Sequence, residues 1–297
     1  MKKYERRLVA FIDILGFSAY VKESEKDSSK LEVLFSALKS LKKYETPGKW
    51  NQKIIEVEED AQKKGIENFE IAKHTNCTCF SDSIIISVNL KELEINAATS
   101  TLVANISMIG AYLLSKSLLI RGGLTVGNLI HTEDNIVVGQ ALIEAHSIES
   151  NTSVFPRIVV SKSLLNDLQY PITQKKDRYP YHQYLKRFED GCVGFHQLIF
   201  YEVMQAALED DSNFLRDNLN KAKSVIIAGL DEHFNNPALF AKYNWLKTKY
   251  NDLIILDEQL KSPIHELNER ISGNNIHYKY TDDFYTKVKK ISTHNSE

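Results

Sequence analysis

The sequence predicts an α+β fold on a ferredoxin-like core, an antiparallel sheet with helices on one face, followed by a mainly helical C-terminal extension. Three observations carry that expectation. An apolar run from Leu8 to Ile14 is closed by Gly16, and two apolar runs flank Asp82. A long stretch of helical spacing from Leu90 to Leu119 then separates these from later strand-like segments. The order strand, helices, strand, strand, helix, strand is that of the split βαβ arrangement.

Taken in order, Leu8 to Ile14 is almost wholly apolar and reads as a buried strand. Ser18 to Lys43 carries Leu31, Leu34, Phe35, Leu38 and Leu41 as a helical stripe, which Thr46-Pro47-Gly48 stops. Lys49 to Lys73 alternates in charge and reads as part of an insertion at about 44–74, a solvated face beside the core. Cys77 to Val88 reads as two short strands turning at Ser81-Asp82-Ser83. In the long helix, Leu93, Ala97, Thr101, Ala104, Met108 and Ala111 keep near-helical spacing. Arg121 to Ile130 and Ile136 to Val138 follow as strands, Ala141 to Ser150 as a helix and Arg157 to Ser161 as a strand.

These elements place the core at 1–170 and the extension at 171–297. From about Lys175 the character changes. Glu189-Asp190-Gly191 reads as a turn, Phe195 to Met204 as an extended apolar segment, and Asn213 to Ala228 and Pro237 to Asn251 as helices. Tyr243, Trp245 and Tyr250 on the last of these read as packing residues, and the sequence from Asn274 is polar and basic-aromatic.

The 297 residues are 43% hydrophobic and carry a formal charge of −2 from 37 basic and 39 acidic residues. That composition suits a protein with a sizeable core and argues against a nucleic-acid partner, which needs a basic surface. No leader stands at Met1 to Arg7 and no apolar run reads as membrane-spanning, so the expectation is a cytoplasmic protein without a membrane partner. Cys77, Cys79 and Cys192 are an odd set. The first two share a strand face and read as free thiols, since no second Cys or His pair stands at zinc spacing.

Two acidic residues carry the functional argument. Asp13 lies in Phe11-Ile12-Asp13-Ile14-Leu15-Gly16-Phe17 and Asp82 in Phe80-Ser81-Asp82-Ser83. A carboxylate within a strand end is costly to desolvate without a cation or donor beside it. Two of them on neighbouring strands make an oxygen-ligand site suited to Mg2+ or Mn2+ and a polyphosphate. Spacing alone equally allows Asp13 to cap a helix and Asp82 to be an ordinary turn residue.

Phe11 to Phe17 resembles the Phe-x-Asp-Ile-x-Gly-Phe signature of class III nucleotidyl cyclases. Ser81-Asp82-Ser83 before Ile84-Ile85-Ile86 is similar to that family's Gly-Asp-plus-apolar-strand element. Ile120-Arg121-Gly122-Gly123-Leu124-Thr125-Val126-Gly127 resembles its Arg-x-Gly-Ile-x-x-Gly strand, and Gly139 to Ser150 its Gly-x-x-Val-Asn-x-Ala-x-Arg-Leu-Glu-Ser helix. The four motifs stand in family order over about the first half of the chain.

The resemblance implies that Asp13 and Asp82 ligate two Mn2+ or Mg2+ ions, with the backbone carbonyl of Ile14 as a further ligand. Phe11 and the turn Leu15, Gly16, Phe17 and Ser18 would bind nucleotide, the turn amides cradling phosphates at a helix start. It also implies a head-to-tail homodimer with composite active sites. The family's ribose Asn and transition-state Arg fall on Ile143 and Ser147 here, so Arg121 is the expected catalytic basic group, given by the partner subunit, with Arg157 the less favoured substitute. A structural Arg121–Glu144 ion pair is the competing reading. The adenine-reading Lys and Asp fall on Thr78 and Ile136, which leaves Thr78 a single hydroxyl contact to a smaller base.

Those departures, with the Arg-Gly-Gly strand and Pro156 to Ser161, resemble the pyrimidine cyclases of bacterial anti-phage signalling. The implied activity converts UTP to 3′,5′-cyclic UMP and diphosphate, read by a separate effector that this chain does not bind directly. A cytidylate cyclase, a purine cyclase and a non-catalytic cyclase-like sensor are the alternatives.

Overall fold

A computed structural model of the chain describes residues 3–42, 74–172, 174, 179–205 and 212–260. It divides into two compact units, Met1–Val203 and Met204–Glu297. The insertion expected at 44–74, save His74, and the segment from Asn274 lie outside the described residues.

The first unit opens with β1 (Glu5–Leu15), followed by α1 (Phe17–Ser24) and α2 (Ser28–Lys42). The hairpin β2 (Thr75–Phe80) and β3 (Ser83–Asn89) leads to α3 (Ile95–Leu114), β4 (Leu119–His131) and β5 (Val137–Val138). Then come α4 (Gln140–Asn151), β6 (Arg157–Val160), α5 (Lys162–Asp167), α6 (Tyr181–Tyr184), β7 (Lys186–Arg187), β8 (Val193–His196) and α7 (Ile199–Gln205). Sheet order is β2-β3-β1-β4-β6-β8-β7, with β5 on β4. Its first four strands are mutually antiparallel and ordered 2-3-1-4. That is the ferredoxin-like arrangement the sequence predicts.

The same sheet continues past the expected boundary near residue 170. β6 runs parallel to β4, reached through the crossover helix α4, and β8 and β7 add antiparallel strands. Phe195 to Met204, expected as one extended segment, is the end of β8 followed by helix α7.

The alternation of β1 divides the protein into two faces. Leu8, Ala10, Ile12 and Ile14 point into the main core with Ala37 and Leu41 of α2 and Ala98, Leu102 and Ile106 of α3. Val9 instead joins Leu129, Ala141 and Ala145 beneath α4, so part of the second face is covered too. Each large apolar side chain removed from water contributes about 1.5–3 kcal/mol. Among the described residues α3 is long and apolar enough to cross a membrane, contrary to the sequence expectation, and most of it is buried in the protein interior.

Cys77 and Cys79 share a face, their sulfurs 4.0 Å apart, and all three cysteines are free thiols. The second unit contributes α8 (Ser212–Glu232) and α9 (Pro237–Leu260), where Tyr250 is fully buried.

Candidate active site

β1 is one of the two inner strands of the four-strand core, and its C-terminal end gathers the charged residues. Asp13 is paired with Ser83 on β3 and with Arg121 on β4. Phe80 and Ser83 are the last pair of the β2–β3 hairpin, so its loop is the dipeptide Ser81-Asp82. Ser81 takes a positive φ of 55°, as such short loops demand. The Ile14 N–H donates to the Asp82 carbonyl at 3.1 Å, tying that loop to the residue after Asp13.

Arg121 bridges two acids. Its Nε donates to Asp13 Oδ2 at 3.4 Å, and its Nη2 meets Glu149 Oε1 at 2.6 Å. Glu149 reaches it from α4 and is only 3% exposed. Helical spacing puts Ala141, Ala145 and Glu149 on the buried stripe of α4. The helix lies close because Gly123 has no side chain: a Cβ there would stand 2.3 Å from the Ala145 carbonyl oxygen. Packing therefore explains this glycine after Arg121.

Burial pushes the Asp13 carboxyl up to about 6, and the negative charges of Glu149 and then Asp82 push it the same way, against the opposing pull of Arg121. A cation at this site would relieve the repulsion between the acids.

The structure brings Asp13, Ile14, Asp82 and Arg121 to one end of the sheet, with the turn Leu15, Gly16, Phe17 and Ser18 immediately after. Gly16 holds φ of 75°, a left-handed conformation natural to glycine. It caps α1 without a side-chain acceptor, and its carbonyl accepts from the Tyr20 N–H at 3.0 Å. Phe11 shares the face of Asp13 on β1 and packs edge-on against His146 of α4, centroids 5.0 Å apart. Thr78 lies on β2, two strands from β1, bonded to His131 and Asn135. Ile136 is 55% exposed on the β4–β5 turn.

Three expectations about basic groups change. Arg121 contacts the Asp13 of its own chain, so it needs no partner subunit to reach that carboxylate. Its buried acid is Glu149; Glu144 instead accepts from Thr125 Oγ1 at 2.9 Å. Arg157 is 2% exposed, lies over the rings of Phe155 and Phe188 and is paired with Asp190, so its charge is held by a partner of its own. Sequence reasoning passed over Glu149, although it stands in the quoted Glu-Ser motif at helical spacing from Ala145. It also passed over His131, which shares the strand parity of Arg121.

Among the described residues no three His, Cys, Asp or Glu side chains form a metal centre by themselves. Asp13, Asp82 and nearby backbone carbonyls are hard oxygen donors. Such a partial set fits Mg2+ or Mn2+, which complete their shells with water and substrate phosphates.

No protein-family model and no curated protein matches this chain. Among solved structures it is similar to the catalytic core of a rhodopsin-guanylyl cyclase with converted specificity, in complex with ATPαS. That match has 19% identity, 65% of this chain, 94% of the other and a TM-score of 0.37. A class III adenylyl cyclase-like ATP-binding protein from Pseudomonas aeruginosa is similar at 12% identity over 69% of this chain, with a TM-score of 0.40. This chain matches 41% of the length of that protein.

Proposed function

We propose that this protein is a nucleotide cyclase that converts UTP to 3′,5′-cyclic UMP and diphosphate. The observation that carries the reading is the convergence of Asp13 and Asp82 beside Arg121 at the strand end that opens into the Gly16 turn. In the reaction the ribose 3′-oxygen bonds to the α-phosphorus, the bond to the departing diphosphate breaks, and the hydroxyl proton is released. Two divalent cations, when bound, lower the pKa of that hydroxyl and neutralise the triphosphate. Asp13, Asp82 and the Ile14 carbonyl hold them. Arg121, oriented by Glu149, meets the charge developing on the phosphates, and the uncapped amides of Phe17 and Ser18 bind β- and γ-oxygens.

Thr78 faces the base, and its lone hydroxyl suits a pyrimidine better than the charged pair a purine reader would need. Exposed apolar side chains favour a homodimer with composite sites: Phe80 at 79%, Ile136 at 55%, Val138 at 48% and Ile143 at 61% exposure. The activity is a second-messenger signal in anti-phage defence, made in the cytoplasm and read by a separate effector.

Incubation with each of the four triphosphates and Mn2+, followed by mass spectrometry of the products, tests the reading. Cyclic UMP as main product is expected. Dominant cyclic CMP would make the enzyme a cytidylate cyclase, and dominant cyclic AMP or GMP would reject the pyrimidine assignment. One observation favours a second reading, a non-catalytic nucleotide sensor: Ile143 and Ser147 occupy exposed positions of α4 where an active enzyme would be expected to carry polar catalytic groups. Nucleotide binding without any cyclic product would select it.

A further inference from the structure

β2, an end strand of the sheet, carries two thiols on one face. Cys77 and Cys79 have their sulfurs 4.0 Å apart, and neither is in a disulfide. Cys77 is 5% exposed and packs in the main core. Cys79 is half-buried, and its thiol donates to the Leu41 carbonyl of α2 at 3.7 Å. One sulfur is therefore open to a small reagent, and the second stands behind it.

Strand geometry brings this pair almost to bridging distance. Two rises of about 3.3–3.4 Å separate residues i and i+2 in a strand, so their Cα atoms stand about 6.6–6.8 Å apart. That is the upper end of the span of about 4.4–6.8 Å over which disulfides form. Closing the sulfurs from 4.0 Å to a bond of about 2.05 Å therefore shortens the strand between them. Because β2 ends the described sheet, the shortening disturbs one ladder, that with β3. Cys77 and Cys79 are paired there with Ile86 and Ile84. The next pair, Phe80 and Ser83, closes directly on the loop that holds Asp82.

We infer that Cys77 and Cys79 are a redox modification site, forming a reversible disulfide that contracts β2 and loosens the Asp82 loop. Hydrogen peroxide is the oxidant. The Cys79 sulfur bonds to one peroxide oxygen, the O–O bond breaks, and a water leaves with the thiol proton. The Cys77 sulfur then bonds to the Cys79 sulfur, the S–O bond breaks, and a second water leaves with the Cys77 proton. Two thiols and one peroxide thus give one disulfide and two waters. A bridge at the limit of disulfide geometry is readily reduced, which suits a switch better than a permanent staple. The bridge does not depend on the cyclase reading. Only its effect on turnover does, through the metal role proposed for Asp82.

Peptide mass spectrometry of the native protein after hydrogen peroxide and then iodoacetamide tests the bridge. The peptide holding both cysteines is expected to lose two hydrogens, resist alkylation and recover with dithiothreitol. Alkylation of both sulfurs, or a sulfinic acid on Cys79 beside a Cys77 that is still a thiol, overturns the inference. Amide exchange reads the consequence. The Ile14 N–H, which donates to the Asp82 carbonyl at 3.1 Å, should exchange on the order of tenfold faster in the oxidised protein. Cys79→Ser should show neither the bridge nor the faster exchange. A bridged protein whose Ile14 exchange is unchanged also overturns the inference. Absence of cyclisation in every form rejects the proposed function and alters neither readout.

Discussion

Asp13 and Arg121 are register partners across β1 and β4, and the guanidinium that reaches Asp13 also grips the buried carboxylate of Glu149. One cation thus serves an acid offered to a ligand and an acid hidden under α4. Arg121→Leu leaves Glu149 buried and unpaired, so stability should fall by about 3–5 kcal/mol in urea unfolding. The double variant Arg121→Leu with Glu149→Leu should regain most of that loss while remaining inactive. A double variant no more stable than Arg121→Leu would show that the pair is not the source of the cost.

The raised carboxyl of Asp13 gives the metal-free protein a pH signature. Its folded value of about 6 lies above the ordinary 3.8, so between them the folded state binds more protons than the unfolded state. The stabilising contribution is complete below about 4 and is lost as pH rises through about 6. Asp13→Asn removes the loss, and at pH 8 it should exceed the native metal-free protein in stability by on the order of 1–3 kcal/mol. Its turnover should be abolished. Melting at pH 5 and pH 8 checks both the sign and the window, and an Asn variant less stable at pH 8 would contradict them. Manganese affinity should correspondingly weaken below about pH 6, where the proton competes.

Contact between Asp13 and Arg121 within one chain decides a mixing experiment. Asp13→Ala combined with Arg121→Ala should recover no activity even when subunits exchange, because neither chain then carries the complete pair. Recovered turnover would mean that Arg121 serves the partner's site despite its position in this chain.

Much of this site was legible in the sequence because strand chemistry is local. A nearly continuous apolar run marked β1, the Ser81-Asp82-Ser83 turn between two apolar runs marked β2 and β3, and register then placed the two aspartates together. Glu149 and His131 were harder to read because their partners are distant. Glu149 meets Arg121 only after α4 folds back over β4, and His131 meets Ser87 and Thr78 across two other strands. The boundary of the first unit was obscured for a similar reason. β7 and β8 are too short to announce themselves, and the pairing of β8 with β6 is what joins them to the sheet.

Two glycines of the site should respond differently to the same added methyl group. A Cβ at Gly123 would stand 2.3 Å from the Ala145 carbonyl oxygen and 2.8 Å from the Ile148 Cβ, so α4 must move or β4 must bend. Gly123→Ala should cost about 1–3 kcal/mol, and it should reduce turnover sharply, because α4 carries the Glu149 that orients Arg121. At Gly16 a Cβ meets nothing within 4 Å, but the backbone there is left-handed at φ of 75°. Gly16→Ala should cost about 1–2 kcal/mol from conformation alone. Its effect on activity should fall on the binding of triphosphate at the Leu15 to Ser18 turn, raising KM for UTP more than it lowers kcat. Thermal unfolding with steady-state kinetics separates the two. Equal kcat and KM effects in both variants would show that the Gly16 turn and the α4 contact do not have the separate roles assigned to them.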